Sequence, residues 1–396
     1  MKALHVTPVF YPAYGDGGPV VAYYELCQSL AKHGCEIKVL TTDAHGWSRS
    51  LEVETEREIE IEPNFRVRYC KRWLRRSVAP ALLWLLPRYI KWADVVHLQS
   101  VYNFPTIPTL IACKIFQKPV VWSPDGALQR WEGTKRVKTK TIWHWICRAI
   151  SPRFLILHAT SQREEKDCGT HFPRKDVMVI SHSVPIPSRI EHAERGEVLR
   201  LLYIGRLDPI KGIENLVAAC KLLNDRDLVS WSLTIAGDGE PEYTQKLRSK
   251  ILGMGFSADG VEGDLRQVRM VGYVEGEAKE RIFESADIVI VPSYAENFAM
   301  VVPEALVREV PVISSTGTPW QRMEEMGCGL WVANDPESLA KSIQQMSRMP
   351  LRRMGRRGRE WVKERFSGDR VGRDMLRCYA EIFNRISGKA LAPSSE

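Results

Sequence analysis

Nowhere does this 396-residue chain hold an apolar run long enough to cross a bilayer. Its greasiest stretch, SVAPALLWLLPRYIKW (77–92), has about ten apolar residues broken by Pro80 and Pro87, against the ~20 that a spanning helix needs. The N-terminal MKALHVTPVFYP carries one lysine, and Pro8 and Pro12 interrupt it before a signal-peptide core could form, so no secretory signal is expected. The nine cysteines, from Cys27 to Cys378, include no CxxC pair and no compact Cys/His cluster. That pattern argues against a zinc module or a disulfide scaffold and for reduced, structural thiols in a cytosolic protein. No nucleic-acid-binding motif is present either.

What the chain does have is length for two domains, each able to bury its own core. Its net charge of +8 is unevenly spread. Residues 1–195 hold 28 Lys and Arg against 19 Asp and Glu, whereas the remainder is close to balance.

MKALHVTPVF and CEIKVLTT are short β-rich runs separated by the helical pattern PVVAYYELCQSLAKHG, a β-α-β unit. ADVVHLQS, KPVVWSP and RFLILHATS are near-continuous apolar strands, as in a parallel sheet covered on both faces. A second series runs through EVLRLLYIGRLD, WSLTIAGDG, VRMVGYV, ADIVIVPS and VPVISS, with helical segments between. Two doubly wound, Rossmann-like α/β domains are predicted: residues 1–183 and 198–367, joined by a Pro/Ser-rich linker at 184–197. A C-terminal helix at 368–388 is expected to pack back near the first domain. The Glu-alternating LEVETEREIEIEP (51–63) predicts a strand with one solvated face, and the final SGKALAPSSE a frayed tail.

Ligands bind at the C-terminal edges of such sheets. GRLDPIKG puts Arg206 and Lys211 in a strand-to-helix turn, where two cations beside helix amides suit a diphosphate. AGDG ends the next strand in a turn where glycine lets a ligand approach the backbone. SYAENFAMVVPEAL sets Glu296 in a loop over a strand end and Glu304 in the first turn of a helix starting at Pro303. Asp225 and Asp227 of NDRDL read as a surface turn.

GRLDPIKG, AGDGE, VGYV and the spacing Glu296-NFAMVVP-Glu304, in this order, resemble the retaining nucleotide-sugar glycosyltransferases of family 4. The resemblance implies the GT-B fold, two such domains facing across a cleft. It implies that Arg206 and Lys211 hold the donor diphosphate, that Glu304 takes the ribose hydroxyls, and that Glu296 binds the transferred sugar. Backbone amides of Phe298, Ala299, Met300 and Val301 would reach sugar and phosphates, and the backbone around Val271 to Val274 the base. Gly17 and Gly18 match the family's glycine loop beside diphosphate and acceptor. Ala299 stands where the family usually has glycine. Asp125, in WSPDGALQRW, replaces a family histidine and is left to accept a sugar hydroxyl or orient the acceptor. HLQS offers His97 and Gln99, with Gln99 where many relatives have histidine.

The resemblance implies hexose transfer, with retention, from a nucleotide-sugar to a growing glycan. UDP-sugars are slightly preferred over GDP-sugars, and neither metal nor other cofactor is expected. Residues 69–92 and 135–150, where basic, aromatic and aliphatic residues interleave, fit an anionic membrane surface. They point to a cytoplasmic protein, peripheral on the inner face of the membrane, with a lipid-linked envelope or exopolysaccharide acceptor. A glycoside phosphorylase of the same fold and a non-catalytic sugar-nucleotide-binding subunit are the alternatives.

Overall fold

The computed structural model describes residues 1–13, 17–46, 49–73, 77–129, 137–194, 196–260 and 265–387. Arg75, Arg76, Lys135 and Arg136 of the two basic stretches, and the tail after Ser387, lie outside the described residues. The chain divides into two compact units, Met1–Val184 with Phe366–Glu396, and Pro185–Arg365.

The first unit runs β1 (Lys2–Val6), α1 (Gly18–Lys32), β2 (Glu36–Thr42), the short pair β3 (Ala44–His45) and β4 (Arg49–Ser50), β5 (Ile59–Glu62) and β6 (Phe65–Cys70). It continues with α2 (Pro80–Trp92), β7 (Val95–Gln99), α3 (Thr106–Ile115), β8 (Val120–Ser123), α4 (Val137–Ile150), β9 (Leu155–Ala159), α5 (Gln162–His171) and β10 (Asp176–Val179). The second unit runs β11 (Leu199–Ile204), α6 (Ile213–Asp225), β12 (Trp231–Ala236), α7 (Pro241–Gly253), β13 (Val268–Gly272), α8 (Gly276–Ser285) and β14 (Ile288–Val291). It ends with α9 (Val301–Val307), β15 (Val312–Ser315), α10 (Arg322–Glu325), β16 (Gly329–Val332), α11 (Pro336–Ser347) and α12 (Leu351–Phe366), after which α13 (Gly368–Ser387) belongs to the first unit.

Eight strands of the first unit form one sheet in the order β10-β9-β8-β7-β1-β2-β6-β5, parallel except for the edge strand β5. Strands β7 and β9 are buried along their whole length, which is why their sequences are apolar without alternation. One face is covered by α2, α3 and α4, whose Leu82, Leu86, Ile90, Leu110, Cys113 and Cys147 share a core with Leu4, Val96 and Trp122. The other is covered by α1 and α13 through Leu26, Leu30, Met375 and Tyr379. Those two helices meet at Gly372, where a Cβ would lie 2.0 Å from the Ser29 hydroxyl. The strand expected across the Glu-rich stretch forms only at Ile59–Glu62. Glu58 leaves the ladder to pair with Lys38 at 2.9 Å and to accept from the Tyr89 hydroxyl at 2.7 Å.

The second sheet has the order β13-β12-β11-β14-β15-β16, all parallel. This is the doubly wound order of dinucleotide-binding folds, and it reverses between β11 and β14. All nine cysteines are buried free thiols. No described helix is long and apolar enough to cross a membrane.

Candidate functional site

The reversal between β11 and β14 sends their exit loops apart, and the crevice between such loops is where doubly wound sheets take ligands. Asp208 caps the short turn Pro209–Lys211 by accepting from the Ile210 amide at 3.0 Å. Gly212 then adopts φ 62°, and a Cβ there would meet the Pro292 carbonyl at 2.1 Å, so this junction requires glycine. From the other side the Tyr294 amide donates to Ile210 O at 2.8 Å, and Glu296 N donates to Gly317 O at 2.9 Å. The loops after β11, β14 and β15 are thereby tied into one frame.

In that frame Lys211 Nζ stands 2.5 Å from Glu296 Oε1, and the Ser293 hydroxyl donates to the same oxygen at 2.7 Å. Two residues 85 positions apart, both expected at the site, are brought together. Arg206 is not drawn in: its side chain is 69% exposed, with Asp208 at 3.6 Å. The glycines of AGDG have a use within the fold. A Cβ on Gly237 would lie 1.9 Å from Gly205 O and one on Gly239 2.0 Å from Leu207 O, so the close approach they permit is by the neighbouring loop of the same chain.

Helix α9 starts at Val301, not Pro303, with Met300 as its N-cap. The turn is set one step earlier by Ala299, which holds φ 60°. Phe298 is buried edge-on to Trp320, whose indole N–H donates to Phe298 O and fixes the loop. Glu304 lies in the first turn as expected, but its carboxylate is taken by Lys279 of α8 at 2.9 Å. Lys279 was missed in the sequence because GEAKERIFES reads as an ordinary charged helix. Val274 sits, half-buried, in the loop that follows β13. Left-handed backbone costs a β-carbon about 1–2 kcal/mol, so Ala299→Gly should raise the stability of the second unit by up to about 1 kcal/mol after the entropy glycine loses. Denaturant titration checks this, and a drop in stability would contradict it.

In the first unit Gly17 is the N-cap of α1 at φ 102°, a conformation reserved for glycine, and Gly18 opens the helix. Asp125 follows β8 at φ 53°. Its Oδ1 accepts from the Tyr23 hydroxyl of α1, and His182 Nε2 lies 3.8 Å away. Burial, then the charge of Glu164, pushes the Asp125 carboxyl well above its ordinary range. Glu164 is itself held by Gly126 N at 2.6 Å and Thr160 N at 2.7 Å.

His97 and Gln99 belong to a buried chain of hydrogen bonds whose direction is set at one end. His158 Nε2 must donate to the Ile180 carbonyl (2.7 Å), so its Nδ1 accepts from Ser123 Oγ (2.6 Å). Ser123 therefore accepts from His97 Nε2 (2.6 Å), and His97 Nδ1 accepts from Tyr379 (2.5 Å). Tyr379 in turn accepts from His5 Nε2 (3.1 Å), leaving His5 Nδ1 to accept from Gln99 (3.2 Å). Every imidazole is neutral in this chain, and burial lowers His5 to about 3 and His158 to about 4, with His97 well below its usual value. His97 is thus a structural residue tying β7 to α13.

Depressed imidazoles stabilise fully above the unfolded value near 6.5 and lose that contribution as pH falls toward the folded values. Asp125 acts in the opposite sense, but His5, His97, His158 and His182 outnumber it. Stability should fall by more than ~1 kcal/mol per pH unit between about pH 6.5 and 4.5. A melting temperature that stays flat over that interval would contradict the neutral chain.

Asp225 and Asp227 lie at the end of α6, paired with Lys221 and Arg266. Among the described residues no group of three or more His, Cys, Asp or Glu is placed to hold a metal ion.

Two doubly wound units following one another in one chain are the architecture of the GT-B class of folds. Residues 16–186 match the model of Glycosyltransferase Family 4, and residues 187–361 that of glycosyl transferases group 1. Together these two glycosyltransferase models match residues 16–361, and the solved structures show the GT-B fold. It is 28% identical over 184 residues to an uncharacterized glycosyltransferase of Methanocaldococcus jannaschii, covering 45% of this chain and 44% of that one. It is 29% identical over 197 residues to a D-inositol 3-phosphate glycosyltransferase of Salinispora tropica, covering 49% and 40%. The chain thus spans less than half the length of these two curated relatives. Its fold is similar to that of a sucrose-phosphate synthase from Thermosynechococcus elongatus, with a TM-score of 0.73, 19% identity, and 97% and 99% of the two chains covered. Anabaena HepE in complex with UDP-glucose gives a TM-score of 0.69 at 16% identity over 96% and 100%.

Proposed function

We propose that this chain is a retaining hexosyltransferase that moves a sugar from a nucleoside diphosphate donor to a glycan acceptor. The observation that carries the reading is Lys211 held 2.5 Å from Glu296 at the switch point. A cation for the leaving diphosphate and a carboxylate for sugar hydroxyls then stand side by side. Arg206 adds a second cation that can swing onto the diphosphate, and Glu304 takes the ribose hydroxyls, exchanging its bond from Lys279. Amides of Phe298, Ala299, Met300 and Val301 face the sugar and phosphates, and the backbone at Val274 the base.

In the reaction the bond from the sugar's anomeric carbon to the diphosphate breaks, and a bond to the acceptor oxygen forms on the same face. The acceptor's proton passes to the leaving diphosphate, so no imidazole is needed at position 125. Catalysis rests on positioning and on fixed positive charge where negative charge develops. Lys211 and Arg206 supply that charge without a metal. The first unit, around Gly17, Gly18 and Asp125, takes the acceptor, in this reading a lipid-linked glycan at the cytoplasmic face of a membrane. UDP-sugars are favoured over GDP-sugars, and the Anabaena protein's complex with UDP-glucose supports that order.

A thermal-shift screen of UDP-, GDP- and ADP-sugars tests this. A specific donor at a hundred times its Kd should stabilise by about 2.7 kcal/mol. Stabilisation by free phosphate but by no nucleotide-sugar would identify a phosphorylase instead. Donor binding without any release of nucleoside diphosphate would identify a non-catalytic subunit.

A further inference from the structure

Helices α2, α3 and α4 cover one face of the first unit's sheet, with α3 packed against both α2 and α4. Their outward faces are unlike the rest of the described surface. Trp84 is 87% exposed, Trp145 and Ile115 68% each, and Leu83, Ile111 and Ile142 are exposed beside them. These six account for nearly half of the large exposed apolar side chains among the described residues. The three helices contain no aspartate and no glutamate, whereas they carry Arg88, Lys91, Lys114, Lys138, Lys140 and Arg148.

Spacing puts indole and cation on the same stripes. Trp84, Arg88 and Lys91 follow at i, i+4, i+7 on α2, and Lys138, Ile142 and Trp145 do so on α4. Among the described residues none of the six cations is paired with a carboxylate. Lys114 donates to Ala149 O at 2.8 Å, Arg148 to His171 O at 2.7 Å, and Lys91 and Lys140 lie over aromatic rings. A second copy of this face would oppose cations with cations, so self-association is disfavoured by the same charges that attract an anionic surface.

We propose that α2, α3 and α4 together form the face by which the first unit docks on an anionic lipid bilayer, Trp84 and Trp145 entering the interface and the six cations meeting headgroups. Relative to the two basic stretches read in the sequence, the structure adds α3 and removes Tyr69 and Cys70, which are buried at the end of β6. Interfacial indoles with flanking cations are the chemistry that favours the headgroup region. The proposal deepens the lipid-linked acceptor reading but stands on its own observations.

Co-flotation of the full chain with vesicles of 30% phosphatidylglycerol in phosphatidylcholine is the test, alongside vesicles of phosphatidylcholine alone. Binding should require the anionic lipid, shift indole emission to the blue and weaken with salt. Each cation neutralised to glutamine should weaken it about fivefold, the effect of ~1 kcal/mol per charge at such a surface. Trp84→Ala with Trp145→Ala should weaken it at least tenfold while circular dichroism and the nucleotide-sugar thermal shift stay as in the wild type. Equal binding to both vesicle types, no binding to either, or full binding by the double variant would overturn the proposal. So would a concentration-dependent dimer that the double variant abolishes. Loss of nucleotide-sugar binding by the wild type would instead defeat the transferase reading and leave this one untouched.

Discussion

Lys211→Ala should lower the release of nucleoside diphosphate from its sugar donor by about two to three orders of magnitude, the usual cost of removing one preorganised electrostatic contact to developing charge. Lys211 is held in place at the proposed site: Asp208 caps its turn, Gly212 turns the chain into α6, and Glu296 receives its ammonium at 2.5 Å. Without the ammonium, Glu296 keeps only Ser293 of these two partners, and in the proposed reading the donor diphosphate loses a fixed positive charge. The fold should survive, because the pair sits at a loop and its loss, with both side chains mostly buried, should cost about 1–3 kcal/mol. Donor turnover within threefold of the wild type, measured on a variant that circular dichroism shows to be folded, would remove Lys211 from the site.

The second large effect falls on the fold. Tyr379→Ala should lower the stability of the first unit by at least ~5 kcal/mol, combining about 3–5 kcal/mol for a large buried ring with about 1–3 kcal/mol for each polar partner left unpaired. That is comparable with the whole stability of a domain. Tyr379 is fully buried and joins His5 to His97, so its loss interrupts the chain in the middle and releases α13 from the sheet. Tyr379→Phe keeps the ring and should cost markedly less. Limited proteolysis shows the difference as early cleavage before α13 in the alanine variant, and a melting temperature within 2 °C of the wild type, about 0.5–1 kcal/mol for a unit of this size, would contradict the assignment.

Much of this was legible in the sequence for a simple reason. Parallel strands buried on both faces, such as Val95–Gln99 and Leu155–Ala159, announce themselves as apolar runs ending in polar residues. The residues at their C-terminal ends are then candidates for ligand contact, which is how Lys211 and Glu296 could be singled out. What escaped was whatever depends on three-dimensional neighbours. Lys279 is one of many charged helix residues until α8 sets it against Glu304. His5 and Tyr379 lie 374 positions apart, so nothing local marks their contact. Pro303 is an acceptable first helical residue, but the left-handed turn at Ala299 starts α9 two residues earlier. The alternating glutamates fit the strand pattern throughout, but only Ile59–Glu62 joins the sheet, and Glu58 just before it gives its carboxylate to Lys38 and Tyr89.

In the proposed reading a nucleoside diphosphate is bound at the switch point of the second unit by Lys211 and Glu304. Isothermal titration of UDP into the wild type, Lys211→Ala and Glu304→Ala proteins tests it most directly. The account predicts saturable one-to-one binding by the wild type and an affinity at least tenfold weaker in each variant, about 1.4 kcal/mol or more. Unchanged affinity in both folded variants would contradict it.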